Sequence, residues 1–281
     1  MLSYRHAFHA GNHADVLKHY VLSLVLDYMN QKDKPYWYID THAGAGMYAL
    51  DSDFAQKNAE FERGIARLIG TKNLPAMLKN YVDLIRKYNQ NNQLQLYPGS
   101  PAIARHYLRT DDKMRLFELH PNDYKLLTET FRYQGKQTKT EMQNGFIGLK
   151  ACLPPPCKRA VVLIDPPYEL KDEYRRVADC IKDGLNRFAT GTYLVWYPLL
   201  QRPEPQQMLD KLKQLDTGNW LNISLSVQAP SAEGFGMHGS GMFIVNPPWT
   251  LPTTLNESMP VLTKLLAMDE TAHFELTSQI T

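Results

Sequence analysis

Long apolar runs are missing from this chain. Nothing in its 281 residues approaches the roughly 20 consecutive apolar positions that a membrane-spanning helix needs. Cysteine is scarce as well. Cys152, Cys157 and Cys180 are an odd number without zinc-site spacing, which argues against a disulfide framework and points to a reduced, cytoplasmic protein. The amino-terminal stretch MLSYRHAFHAGNHADVLKH is polar and rich in histidine where a secretory signal would carry an apolar core. An excess of one charge is almost absent, since 31 basic against 29 acidic residues leave a formal net charge of +2. A nucleic-acid partner is therefore permitted but would be held by a local patch, not by overall charge. Internal repeats, low-complexity tracts and the phosphate-cradling G-x-x-x-x-G-K-[ST] pattern are all lacking.

What is present is a hydrophobic fraction of 43%, enough for a substantial core and one large α/β domain over residues 1–281. Val16, Leu17, Tyr20, Val21, Leu24, Val25 and Tyr28 recur at helical spacing over 14–29, with Asp15 suiting the helix start. Pro35-Tyr36-Trp37-Tyr38-Ile39-Asp40 reads as a strand. Residues 52–93 look helical, with one stripe from Phe54 to Ile69 and another from Leu78 to Tyr88. Ser100-Pro101 suits an N-cap followed by the first helical position. Strands at 115–119, 160–164 and 192–196 alternate with helices at 121–132, 173–187 and 205–215. That order implies a doubly wound sheet. The run Ala160-Val161-Val162-Leu163-Ile164 is continuously apolar, as a strand buried on both faces should be. Strands at 221–227 and 241–246 have no helix between them, so the sheet should end in an antiparallel hairpin.

The first strand runs into Thr41-His42-Ala43-Gly44-Ala45-Gly46. Glycine lets the backbone turn sharply and approach a ligand where a Cβ would collide. The third glycine of the dinucleotide fingerprint is absent, so the turn suits a nucleoside without phosphates, such as S-adenosylmethionine. Glu118, ending a later strand, could accept hydrogen bonds from both ribose hydroxyls.

Asp165-Pro166-Pro167-Tyr168 is the most specific motif, placed at the carboxyl end of the buried strand, where open α/β sheets bind ligands. An adenine amino nitrogen is a poor nucleophile because its lone pair is delocalised into the ring. The Asp165 carboxylate and the Pro166 carbonyl could each accept one amino hydrogen and free that lone pair. The two prolines fix φ and supply no N–H, which keeps the turn rigid and its carbonyls available. The Tyr168 ring could stack on a base drawn out of its helix. Asn246-Pro247-Pro248-Trp249 is a rival of similar composition. It follows the last strand instead of the fourth, and so reads as a structural turn. His9 and His13 lie four apart, a spacing two metal ligands could use, but no acidic or Cys partner is suitably spaced. Tyr4, His6, Lys18 and their neighbours read better as an aromatic and cationic lip for nucleic acid.

Together these motifs resemble the bacterial 23S ribosomal RNA adenine-N6 methyltransferases of the large-subunit methyltransferase J family. The resemblance runs along nearly the whole chain. It includes Tyr4-Arg5-His6, Phe8-His9-Ala10-Gly11-Asn12-His13, Asp40-Thr41-His42-Ala43-Gly44, Tyr97-Pro98-Gly99-Ser100-Pro101, Glu118-Leu119-His120-Pro121, Asp165-Pro166-Pro167-Tyr168 and Gly239-Ser240-Gly241-Met242. It implies a Rossmann-like class I S-adenosylmethionine-dependent methyltransferase. Such a domain has a mostly parallel seven-stranded sheet, a C-terminal antiparallel hairpin and a small helical insertion over residues 52–93. It further implies cofactor contacts from His19, His42, Gly44, Ser100, Glu118, Asn144, Gly145 and Asp165, catalysis by Asp165, Pro166 and Tyr168, and RNA contacts from Tyr4, His6 and Lys18, with no metal. Where the family carries Asp-Gly, this chain has Asn144-Gly145, whose side-chain oxygen can still accept from an adenine amine. The expected substrate is 23S ribosomal RNA, free of protein or partly assembled. The alternatives are a DNA adenine methyltransferase, a non-catalytic RNA-binding or assembly protein, and a metal-dependent nuclease.

Overall fold

A computed structural model describes residues 6–90, 93–216 and 218–280. Tyr4 and Arg5 lie outside them. Ten strands follow in chain order: β1 (Trp37–Asp40), β2 (Met47–Ala49), β3 (Leu96–Pro98), β4 (Lys113–Phe117), β5 (Thr138–Glu141), β6 (Ala160–Ile164), β7 (Thr192–Leu199), β8 (Trp220–Ser226), β9 (Gly239–Val245) and β10 (His273–Gln279). Eight of them form one sheet in the order β10-β8-β9-β7-β6-β1-β4-β5. From β7 to β5 the pairing is parallel, and β9, β8 and β10 add antiparallel pairs. The sheet thus contains the seven strands expected and one more, β10. That strand is polar outward and only half-buried at best, so its alternation is weak in sequence. β5 (TKTE) is likewise polar, because it occupies the opposite edge.

β6 shows why its sequence is continuously apolar. Val161 and Leu163 pack into the core on one face, with the helix His13–Asn30. Ala160, Val162 and Ile164 pack on the other, with the helix Lys171–Arg187. Alternate side chains face opposite layers, and both layers are dry. β1 lies between β4 and β6, so the strand order reverses there and opens a crevice at the carboxyl ends of β1 and β6.

The stretch 52–93 is broken into short segments. It holds the helices Asp53–Asn58, Ile65–Ile69 and Ala76–Lys87 with a 3-10 turn at Glu60–Arg63, and the β2–β3 ribbon closes its base. The break at Gly64 has a steric cause. A Cβ there would collide with the Gly11 carbonyl and the Asn12 backbone, so the chain presses directly on the loop before the first long helix. The Ile65 amide donates to that same Gly11 carbonyl at 2.9 Å. A further helix, Leu251–Leu266, begins with a proline in its first turn and carries Pro260 inside.

Candidate active site

A cleft of about 420 Å³ opens at the crevice, and every expected site residue except the undescribed Tyr4 lines it. Its walls come from the loops after β1, β4, β5, β6 and β7 and from the helix His13–Asn30.

The β1 side is built around a buried carboxylate. Asp40 Oδ2 accepts from the Tyr38 hydroxyl and from Ser100 Oγ, each at 2.7 Å, and Oδ1 accepts from the His42 amide at 3.2 Å. Burial nevertheless pushes the Asp40 carboxyl up to about 6. Ser100 is thereby oriented by Asp40, a residue whose role sequence reasoning passed over. Its position at a strand end before the glycine turn was the available signal.

Gly44 and Gly46 adopt φ of +58° and +79°, as the tight turn requires. Glu118 closes this turn: Oε2 accepts from the Gly44 amide at 2.8 Å and Oε1 from the His120 amide at 2.7 Å. Burial raises its carboxyl above the usual range against the pull of those two amides. Each oxygen keeps a free lone pair, so the carboxylate can still take both hydroxyls of a ribose. Asn144 caps the helix Gly145–Cys152, its Oδ1 accepting from the Phe146 and Ile147 amides at 3.0 and 3.4 Å. That oxygen is already committed, so the expected bond to an adenine amine would have to share it. A Cβ on Gly145 would run into the Thr41 carbonyl, which explains the glycine after the cap.

Two histidines sit beside this half of the cleft as neutral rings. Burial lowers His42 to about 4, and His19 is also held well below its ordinary value by burial. The ring of Phe146 meets His42 edge-on, and the His19 Nδ1 lies 2.8 Å from the Tyr97 hydroxyl. Neutral imidazoles leave room for a cationic ligand, which an imidazolium would repel. A carboxylate with lone pairs to spare, a glycine turn that admits a close backbone approach and two neutral histidines together fit S-adenosylmethionine.

The β6 side carries Asp165. Its Oδ2 accepts from Lys18 Nζ at 2.5 Å, while no donor among the described residues reaches Oδ1. Lys18 also pairs with Asp15 Oδ1 at 2.9 Å, and Asp15 Oδ2 accepts from the Gly11 amide and lies 2.9 Å from His6 Nε2. Burial opposes the Lys18 charge, but Asp15 and Asp165 outweigh it and hold the ammonium firmly protonated. Burial likewise opposes the Asp15 charge, which His6 and Lys18 stabilise well below the usual range. Lys18 is only 4% exposed, so it meets the cleft from beneath and not as a mobile surface cation. The pairing with Asp15 was not legible in sequence, although a charged i, i+3 pair amid the apolar stripe of this helix was the clue.

Tyr168 holds φ at 52°, an uncommon value for an aromatic residue. Its hydroxyl donates to the Trp196 carbonyl at 2.7 Å, its ring stacks on Tyr174 at 4.3 Å, and Arg202 Nη2 donates to its carbonyl at 3.3 Å. These contacts over-determine the turn and fix the Pro166 carbonyl. Tyr168 is 4% exposed, so only a small part of it reaches the cleft. Asn246 lies elsewhere, beside Thr192 at the opposite end of the sheet, as the structural-turn reading expects. His9 is paired with Glu60 at 3.0 Å, and among the described residues no group of His, Cys, Asp or Glu is arranged to hold a metal ion.

Comparison with known proteins gives this geometry its setting. Residues 33–278 match the family described as ribosomal RNA large subunit methyltransferase D, RlmJ. The chain is 46% identical over 273 residues to the ribosomal RNA large subunit methyltransferase J of Escherichia coli K12, covering 97% of each. It is 46% identical over 272 residues to the protein of the same name from Haemophilus influenzae, covering 96% of each. A crystal structure of a Legionella pneumophila protein superposes with a TM-score of 0.89 at 35% identity, over 96% of this chain and 98% of that one. The chain belongs to the RlmJ family of ribosomal RNA large-subunit methyltransferases.

Proposed function

We propose that this enzyme methylates the N6 amine of an adenine in 23S ribosomal RNA, with S-adenosylmethionine as donor. The observation that carries the reading is the pairing, in one cleft, of a ribose-competent Glu118 with an Asp165 carboxylate whose Oδ1 meets no donor among the described residues. When bound, S-adenosylmethionine supplies a methyl group on a sulfonium, which leaves a neutral thioether behind. Everything else falls to the chain. Glu118 and the glycine turn hold the nucleoside, and the neutral His42 and His19 tolerate its charge.

Across the cleft, Asp165 Oδ1 and the Pro166 carbonyl each accept one amino hydrogen of the target. This orients the nitrogen lone pair out of the ring and toward the methyl group. Lys18 donates to Asp165 Oδ2 and keeps that oxygen occupied, which leaves Oδ1 for the amine. As positive charge builds on N6, Asp165 stabilises it and takes the released proton. Tyr168 walls the base pocket, with His6 also on the cleft wall.

A base must be splayed out to enter such a cleft, which favours 23S RNA that is free of protein or partly assembled over the finished particle. The free cysteines and the absence, among the described residues, of a helix able to cross a membrane are in keeping with cytoplasmic action. The test is methyl transfer to deproteinised 23S RNA, assembled large subunits and duplex DNA, with the product nucleoside identified by mass spectrometry. N6-methyladenosine from the deproteinised RNA is expected. Preference for DNA, or a different methylated atom, would overturn the proposal.

A further inference from the structure

Part of the cleft wall has no role in the transfer itself. Past Tyr168 the cleft continues along Leu170, Leu200, Arg202 and Met237. Met237 belongs to the 227–238 loop between β8 and β9. Register puts this loop at the same edge of the sheet as the catalytic turn, because Gly239 pairs with Leu199 at the carboxyl end of β7, which runs parallel to β6.

The base of the loop is tied down. Gln201 Nε2 donates to the Ser231 carbonyl at 2.5 Å, the His238 amide to the Leu199 carbonyl at 3.2 Å, and the Ala229 amide to Asp269 at 2.8 Å. Its tip stands clear. Gly234 and Gly236 have φ of +79° and +90° with open space where a Cβ would be, and Phe235 between them is 80% exposed.

A lone exposed aromatic ring is unremarkable on most surfaces. This one projects from an anchored loop whose next apolar residue, Met237, already lines the target cleft, where Leu170 is a second large apolar side chain left 59% exposed. The loop has one acidic side chain, Glu233, and its His238 is held below the ordinary histidine value by burial. That charge disfavours a phosphate ligand and leaves the flat face of a base as the matching chemistry.

We propose that the 227–238 loop is a stacking finger, in which Phe235, backed by Met237, receives the base of the nucleotide next to the target adenine. Turning the target into the cleft strips its neighbour of a stacking partner, and an aromatic ring at the cleft mouth replaces it. This inference rests on the adenine-methyltransferase reading above.

The test compares full-length wild type, Phe235→Ala, Phe235→Trp and Met237→Ala on deproteinised 23S RNA, with cofactor affinity measured separately by calorimetry. Phe235→Ala should raise KM for RNA about tenfold, the scale of one lost base–aromatic stack, with kcat and cofactor affinity little changed. Met237→Ala should raise it less, and Phe235→Trp should restore it. An unchanged KM in Phe235→Ala, or no recovery with Trp, overturns the stacking finger while leaving the methyltransferase reading intact. A defect confined to RNA bearing ribosomal proteins would make the loop a protein contact, and would also overturn it. Wild type that fails to methylate the RNA at all would instead sink the underlying function.

Discussion

Asp165-Pro166-Pro167-Tyr168 and Asn246-Pro247-Pro248-Trp249 are near copies, yet they occupy opposite ends of one sheet. Each follows a fully buried strand, and each contains one residue with φ of 52°, Tyr168 in the first and Asn246 in the second. Strand direction separates them. β6 runs toward the cleft, whereas β9 is antiparallel to β7 and delivers Asn246 beside Thr192, the residue that opens β7. There Asn246 Nδ2 donates to the carbonyls of Ala189 and Gly191 at 2.8 and 2.7 Å. Among the described residues Asp165 keeps one oxygen unpaired, whereas Asn246 has spent both its side-chain donors on the backbone. A rigid Pro-Pro turn thus either lines the cleft or closes the far end of the sheet, depending on the edge it reaches.

The sharpest way to break that contrast is Asp165→Ala. Turnover should fall about 10³-fold or more, as when a group aimed at developing charge is removed, while calorimetry shows cofactor binding retained. Turnover within tenfold of wild type would erase the distinction between the two turns. Asn246→Ala should act on stability alone. It leaves two carbonyls without donors and puts alanine at a left-handed φ, so urea denaturation should show a loss of about 1–3 kcal/mol, with kcat of the folded fraction unchanged.

Tyr168→Phe removes only the hydroxyl that donates to Trp196, and should cost about 1 kcal/mol of stability. Its effect on turnover should stay below that of Asp165→Ala, because the stack on Tyr174 still holds the turn. Trp249→Ala is the smallest expected change. Trp249 is 73% exposed at the far edge, so melting and turnover should stay close to wild type, within about 0.5 kcal/mol for stability. A catalytic defect in Trp249→Ala would mean that the second turn has a function the geometry does not assign to it.

Much of the site was legible because its chemistry is local. The glycine turn, Glu118 and the Asp-Pro-Pro-Tyr run each need particular residue types at adjacent positions, and strand ends are readable from apolar runs. Partners distant in sequence were harder to read. The Asp15–Lys18–Asp165 cluster joins residues 147 positions apart. Arg202, which clamps Tyr168, lies 34 residues downstream of it in a loop with no periodicity. Glu60 looks like an ordinary surface acid in a charged stretch, yet it accepts from Asn12 at 2.9 Å and sits 3.0 Å from His9. Edge strands β5 and β10 escaped for another reason: with one side toward solvent they lack the hydrophobic signature that marks the central strands.

By itself, the order of residues determined the alternation of strands and helices, the buried character of β6, the Asp-Pro-Pro-Tyr run at its carboxyl end, and the family. Those features follow from covalent neighbours and short-range sterics. Only the tertiary structure decided which lone pairs remain unspent, and that Lys18 is a buried partner of Asp165. These are consequences of strand direction and of long-range packing, in which the energy of each polar group depends on neighbours that folding alone brings within reach.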